Sequence, residues 1–239
     1  NYPEKTQTAN LLPLVFGLTP DNYKEKIAEN VINDVIERGF HPSTGFLGTA
    51  HLLPVLSEYN AHNVAYKTAI NEEYPSWGYM VRNGATSMWE LWNSDTEPPE
   101  GMNSRNHFAL GSVVEWYYSY LAGIRPLKPG FKEILIQPMP AEGLDWVTSS
   151  LQTPYGLLKA SWSMDGDRFH QDITIPANTK AFITVPVKNN TYKSLTESGN
   201  VILKNGDIAE NDNIKVLEAD DKKIRLEVNS GNYAFTLVY

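Results

Sequence analysis

The sequence predicts an α+β multidomain fold in which paired antiparallel helices are followed by an antiparallel β-sandwich or barrel. Three observations carry this. The length of 239 residues exceeds what one compact domain of about 100–200 residues usually holds. Through residue 125 the apolar positions recur at the 3.6-residue helical period, and beyond it they alternate with period two. Pro126, Pro129 and Gly130 interrupt the helical texture where the two patterns meet, which sets the expected domains at 1–125 and 126–239.

The helical elements follow in order. TQTANLLPLVFGL reads as the first helix. DNYKEKIAENVINDVIERG reads as the second, with Ile27, Val31, Ile32, Val35 and Ile36 on one stripe, Asp21 as its cap and Gly39 as its end. FLGTAHLLPVLSEYN, HNVAYKTAI, GATSMWELW and RNHFALGSVVEWYYSYLAG complete a set of roughly six. Turn-rich strings such as HPSTG and NEEYPSWG separate them, and short connections place neighbours antiparallel. After Pro126 the strands WVTSSLQT, GLLKASWSM, RFHQDITIPA, KAFITVPV, IKVLEA, KIRLEV and YAFTLVY recur every 8–12 residues, with turns at DGD, NNT, NGD and NSGN. Trp146, Tyr155 and Trp162 on these strands read as cross-strand packing, and the second domain reads as a structural brace. Asn189-Asn190-Thr191 fits a glycosylation sequon, a tripeptide common by chance.

Composition removes several functions. The net charge is −8, with 8 basic against 14 acidic residues in 1–125, so the basic stripe that binding a phosphate backbone requires is missing and nucleic acid is not an expected partner. The same charge repels uronic-acid polymers. No cysteine is present, which excludes disulfides, thiolate catalysis and Cys-containing zinc sites and leaves the compartment open. GxSxG, HExxH, P-loop and GxGxxG signatures are absent. His41, His51, His62, His107 and His170 show no metal-ligand spacing, so neither metal nor cofactor is expected. No run of about 18 apolar residues marks a membrane span. The opening NYPEKTQTAN has no signal-peptide character and reads as the start of a piece of a longer polypeptide.

Four of the six tryptophans (Trp77, Trp89, Trp92, Trp116) fall in one short stretch. Within it, YPSWGYMVRNGATSMWELWN reads as an aromatic-rich loop entering a short helix that carries Glu90 between Trp89 and Trp92. Aromatic faces stack on sugar rings, and a carboxylate among them suits general acid or base chemistry. The same pattern equally describes two core tryptophans with Glu90 on a solvated helix face. Asp95, Glu97 and Glu100, in the Pro-rich SDTEPPEG string, read as solvated loop charges.

The strings GFLGTAHLLPVL, YPSWGYMVRNGATSMWELW, NHFALGSVVEWYYSYLAGIRPLKPGFKEILIQP and LQTPYGLLKASW together resemble the C-terminal part of bacterial α-L-rhamnosidases, glycoside hydrolase family 78. The resemblance implies the second half of an (α/α)6 catalytic toroid followed by a β-sandwich. It implies that Glu90 is the general base of an inverting hydrolysis of terminal α-L-rhamnosides, and that His107 contacts sugar hydroxyls. A lone histidine before a helix is otherwise a cap or packing residue. Trp77, Tyr74, Trp89 and Trp92 become pocket residues under this reading, and Arg82 a substrate or loop contact. The family's general acid lies in a segment resembling Asp-Cys-Pro-Gln-Arg-Asp-Glu-Arg, which has no counterpart here. The resemblance therefore implies that the N-terminal part of the same polypeptide is a necessary partner and that this chain alone is inactive. Two other classes stay open: a different toroid carbohydrate enzyme such as a lyase, and a non-catalytic sugar-binding or scaffold module.

Overall fold

The computed structural model describes residues 5–96, 104–188 and 191–239, and the chain divides into two compact units, Asn1–Trp116 and Tyr117–Tyr239. The expected glycosylation site at Asn189 and the charges Glu97 and Glu100 lie outside the described residues.

The first unit is helical. Helix α1 (Gln7–Val15) starts at Thr6, whose hydroxyl accepts from the Ala9 N–H at 3.1 Å. Helix α2 (Asp21–Glu37) buries Ile27, Ala28, Val31 and Val35, one face of the predicted stripe; Ile36 is 44% exposed and Ile32 half-buried. Pro20 rather than Asp21 occupies the cap, and Asp21 sits in the first turn paired with Lys24 at 2.6 Å. That pairing holds the Asp21 carboxyl below its ordinary range, while Asp21 also favours the helix dipole. At the other end Gly39 N–H donates to Ile36 O and Phe40 N–H to Val35 O, the paired bonds that close a Schellman end.

Helices α3 (Phe46–Glu58) and α4 (His62–Ala69) pack against each other, with Leu52, Leu53, Leu56 and Ala65 fully buried. Trp116, also fully buried, donates its indole N–H to Ser57 Oγ at 2.9 Å. Helix α5 (Trp77–Arg82) is capped by Ser76, which accepts from Tyr79 N–H. It lies where the sequence predicts turn and loop.

The predicted helix over GATSMWELW does not form. Residues 84–92 are irregular, and 88–90 run beside 104–107 instead. Thr86 and Ser87 are weak helix formers, and pairing with a distant segment gives the backbone its partners by another route. The last helical stretch begins at Ala109 as a 3-10 turn (Ala109–Ser112), passes through α6 (Val113–Trp116) and ends as a π turn (Tyr117–Leu121).

The second unit is built of two sheets. One runs β1 (Ile124–Pro126), β2 (Glu133–Ile136), β6 (Lys180–Pro186), β11 (Lys223–Val228), β10 (Ile214–Ala219). The other runs β3 (Trp146–Thr153), β4 (Gly156–Asp165), β5 (Arg168–Ile175), β12 (Gly231–Val238), β7 (Ser194–Glu197), β8 (Asn200–Lys204), β9 (Asp207–Ile208). Among the described residues the pairings are antiparallel except β2 with β6, which is parallel, with Ile134 beside Ala181 and Ile136 beside Ile183. Alternation along each strand turns Leu158, Phe169, Ile173, Ile183, Leu226 and Phe235 into one core. Trp162 packs there as expected, stacked on Phe169 at 5.9 Å, with its indole N–H donating to Leu121 O. Trp146 does not: it is 65% exposed at the start of β3.

Candidate functional site

Backbone hydrogen bonds to the segment 104–107 hold Glu90. Its N–H donates to Ser104 O at 2.9 Å, and its Oε2 accepts from the Ser104 N–H at 2.7 Å. The His107 N–H donates to Met88 O at 2.8 Å, so Glu90 and His107 lie on neighbouring segments of one ribbon. Glu90 is half-buried. Its Oε1 has no hydrogen-bond partner among the described residues. His107 Nδ1 accepts from the Ala109 N–H at 3.2 Å, and its ring stacks on Phe108 at 5.1 Å. An accepting Nδ1 puts the proton of the neutral imidazole on Nε2, where it is a donor.

The tryptophans divide between packing and surface. Trp89 is 4% exposed and packs with Met80 and Leu110. Trp77 is also buried and donates its indole N–H to Leu110 O at 2.7 Å. Its ring meets Trp92 edge to face at 5.1 Å. Trp92 is half-buried, and its indole N–H donates to Thr44 O at 2.9 Å. Tyr74, 52% exposed and joined to Pro75 by a cis bond, meets Tyr79 edge to face at 5.3 Å. The Tyr79 hydroxyl donates to Asp95 Oδ2 at 2.7 Å. This bond, reinforced by burial, raises the Tyr79 phenol above its ordinary range, and Asp95 is a packed acceptor rather than a solvated charge. Arg82 pairs with Glu72 at 3.2 Å, both side chains about two-thirds exposed.

Tyr74 and Trp92 also wall an open cleft of about 580 Å³, whose remaining sides are Pro75, Arg38 and the loop His41–Gly45. Glu90 is not among its lining residues. In the sequence this loop reads only as a connection, HPSTG, between two helices. What marks it is the support beneath it. Gln7, 1% exposed, donates from Nε2 to Asp34 Oδ2 (2.8 Å) and His41 O (3.3 Å), and its Oε1 accepts from the Ser43 N–H (2.7 Å). Asp34 Oδ2 also accepts from Arg38 Nε at 2.9 Å. His41 Nδ1 lies 3.0 Å from Pro75 O. Among the described residues no cluster of three or more His, Asp or Glu side chains could hold a metal ion, and no helix is long and apolar enough to cross a membrane.

Residues 1–121 match the family model of the bacterial alpha-L-rhamnosidase 6 hairpin glycosidase domain, and residues 123–200 that of the bacterial alpha-L-rhamnosidase C-terminal domain. Over 98% of its length the chain is 36% identical to an alpha-L-rhamnosidase of Formosa agariphila, covering 25% of that protein. It is 32% identical over 97% of its length to one of Streptomyces avermitilis, covering 21%. Among solved structures, the Streptomyces avermitilis alpha-L-rhamnosidase complexed with L-rhamnose superposes with a TM-score of 0.86 at 31% identity, across 98% of this chain and 22% of that one. The alpha-L-rhamnosidase from Dictyoglumus thermophilum gives 0.86 at 33%, across 98% and 25%. The chain thus spans about a fifth to a quarter of the length of these relatives.

Proposed function

The chain belongs to the bacterial α-L-rhamnosidase family, and from that premise we propose that it carries half of the active site of an inverting glycosidase that releases terminal α-L-rhamnose from glycans or glycosides. The observation that carries the reading is the state of the Glu90 carboxylate. Oε2 is fixed by a backbone N–H, and Oε1 is uncommitted among the described residues. A general base needs this division, one oxygen to hold direction and one to accept a proton.

In the proposed reaction a water molecule attacks the anomeric carbon while Glu90 Oε1 takes its proton. The glycosidic C–O bond breaks on the opposite face, and the departing oxygen receives a proton from a second carboxylic acid. Inverting enzymes hold the two carboxyl groups roughly 6.5–9.5 Å apart so that the water fits between base and sugar. The second group is assigned to a part of the polypeptide outside these 239 residues. Two facts support that assignment: the sequence has no counterpart of the family's acidic segment, and the chain covers a quarter or less of its relatives. His107, with Nε2–H available, donates to a sugar hydroxyl. Trp92 and Tyr74 offer ring faces to the sugar, while Trp77 and Trp89 pack behind them. Arg82 braces its loop through Glu72. The 239-residue chain alone does not hydrolyse rhamnosides.

In the full-length protein, Glu90→Gln lowers kcat on an aryl α-L-rhamnoside by about 10²–10⁴-fold, the range a general base contributes. Azide partly restores turnover in Glu90→Ala and yields the β-configured azide, detected by NMR. Wild-type rates in either variant overturn the assignment of Glu90, and rhamnoside hydrolysis by the isolated chain overturns that of the missing acid.

A further inference from the structure

We propose that the outer face of the seven-stranded sheet, from Trp146 on β3 across β4 and β5 to β12, is a binding surface for an uncharged glycan chain. The proposal takes its class of ligand from the rhamnosidase reading, and the surface contains none of the residues assigned to hydrolysis.

Strand register builds the surface. Side chains alternate between the two faces of a strand, so the neighbours of the core residues Leu158, Phe169, Ile173 and Phe235 point outward. Pairing then sets the outward ones side by side. Trp146 lies across from Ser163, Ser163 from His170, His170 from Thr236, and Thr236 from Thr196. At about 4.8 Å per strand this row runs about 19 Å. Within it His170 Nδ1 lies 3.1 Å from the Thr236 hydroxyl. Beside the row, Lys159, Ser161, Asp172, Thr174, Ser198 and Asn232 line a groove of about 280 Å³.

Three observations give this face a ligand. The first is its contrast with the other sheet. On the five-stranded sheet the outward side chains form ion pairs across strands: Lys180 with Glu227 at 3.1 Å, Lys223 with Glu218 at 3.4 Å and Arg225 with Glu218 at 3.5 Å. Among the described residues no ion pair joins β3, β4, β5 and β12 to one another. The pairs that touch these strands gather at Asp167, in the turn before β5. Hydroxyls and amides occupy the positions that charges fill on the other sheet.

The second is Trp146. Tryptophan is highly buried on average, yet this one is 65% exposed. Among the described residues its ring meets no other ring and its N–H has no hydrogen-bond partner. A bare indole at the end of a row of hydroxyls suits a pyranose, whose C–H face lies on the ring while its hydroxyls reach the polar groups.

The third is that donors are held in place and left open. The Thr174 hydroxyl donates to Asn232 Oδ1 at 2.8 Å, which orients the amide. The Asn232 Nδ2 donors and Lys159 Nζ have no partners among the described residues. All three residues stand on paired strands, which hold a site more firmly than loops do.

Charge narrows the ligand further. Lys159 and Asp172 balance each other within the groove, and the net charge of −8 repels polyanions. A chain of neutral sugars meets neither obstacle. Held here, a glycan keeps the enzyme close while its terminal residues are removed, because a second contact raises the effective concentration of the first. The gain therefore belongs to polymers and not to small rhamnosides.

The test uses the full-length enzyme with Trp146→Ala and Trp146→Tyr. Two substrates are compared: an aryl α-L-rhamnoside, and a polysaccharide of uncharged sugars bearing terminal α-L-rhamnose. Binding is read by affinity electrophoresis through gels containing that polysaccharide or polygalacturonate. In Trp146→Ala, retention by the neutral polymer and kcat/KM on it fall at least five-fold, kcat/KM on the aryl rhamnoside is unchanged, and Trp146→Tyr restores most of the loss. Polygalacturonate treats wild type and variant alike. Unchanged retention in Trp146→Ala overturns the surface, as does a loss that Trp146→Tyr leaves unrestored. An equal loss on both substrates together with a lower Tm also overturns it, since another part of the polypeptide then packs on Trp146. Failure of the rhamnosidase reading is separate: the wild type then leaves the aryl rhamnoside uncleaved, while retention still reports on Trp146.

Discussion

At the scale of single residues, the most consequential side chains are those that hold others in place. Gln7 is the clearest. Replacing it with Leu leaves the Ser43 N–H without its acceptor and Asp34 without one donor, and a buried polar group deprived of its partner costs about 1–3 kcal/mol. Chemical denaturation of Gln7→Leu is expected to show a loss of that size, whereas Arg38→Ala, which breaks an exposed ion pair, loses about 1 kcal/mol or less. Neither role is legible in the sequence. A glutamine in the first turn of a helix looks like surface, and only the fold reveals that it reaches the backbone of a loop more than thirty positions away. Glu90 is the opposite case. Its flanking tryptophans and its motif single it out, yet its environment is misread from sequence. The expected helix face is a strand-like pairing with Ser104, and no local periodicity encodes a partner fourteen positions on.

At the scale of elements, what can be read locally is what local chemistry decides. The buried stripe of α2 and its ending at Gly39 follow from spacing and capping within the segment. The strands β3 to β6 follow from alternation and turns. β7, β8 and β9 are short and partly exposed, so their apolar alternation is too brief to register. The parallel neighbour of β2 is invisible because pairing between distant strands leaves no trace in either. Glycines at element ends give a paired prediction. Gly84 has φ +79 and open space where a Cβ would stand, whereas at Gly123, φ +80, a Cβ would lie 2.2 Å from the Gln137 carbonyl carbon and Pro138 nitrogen. Gly84→Ala is therefore expected to lose about 1–2 kcal/mol, the cost of left-handed backbone alone, while Gly123→Ala loses more than about 4 kcal/mol because backbone must move. Thermal unfolding of the two variants separates the cases, and equal losses refute the steric account.

At the scale of the whole molecule, the division into a helical and a sheet unit is the part most plainly written in the sequence, since it follows from a change of hydrophobic period that many residues share. Stability at high pH belongs to this scale too. Burial pushes the Tyr239 phenol up to about 12 and raises Tyr233 as well. Between about pH 10, where an unfolded tyrosine ionises, and pH 12 the unfolded chain releases protons that the folded chain keeps. The folded state binds more protons in that window, so stability falls as pH rises through it. Denaturation curves from pH 8 to 12 are expected to show this decline in the sheet unit, with a shallower slope in Tyr239→Phe; an unchanged slope removes Tyr239 from the account. The parallel contact of β2 with β6 has a consequence in time as well as in energy. β3, β4 and β5, all members of the other sheet, lie between the two strands in the chain. Their hairpins close short loops, and β2 can meet β6 only after a long stretch of chain has been gathered in, an entropic delay that grows with the loop. The seven-stranded sheet thus has its nucleus early, and the five-stranded sheet is completed late, so a ribosome releasing this chain one residue at a time leaves the edge of β2 opposite β1 open until Ile183 has emerged.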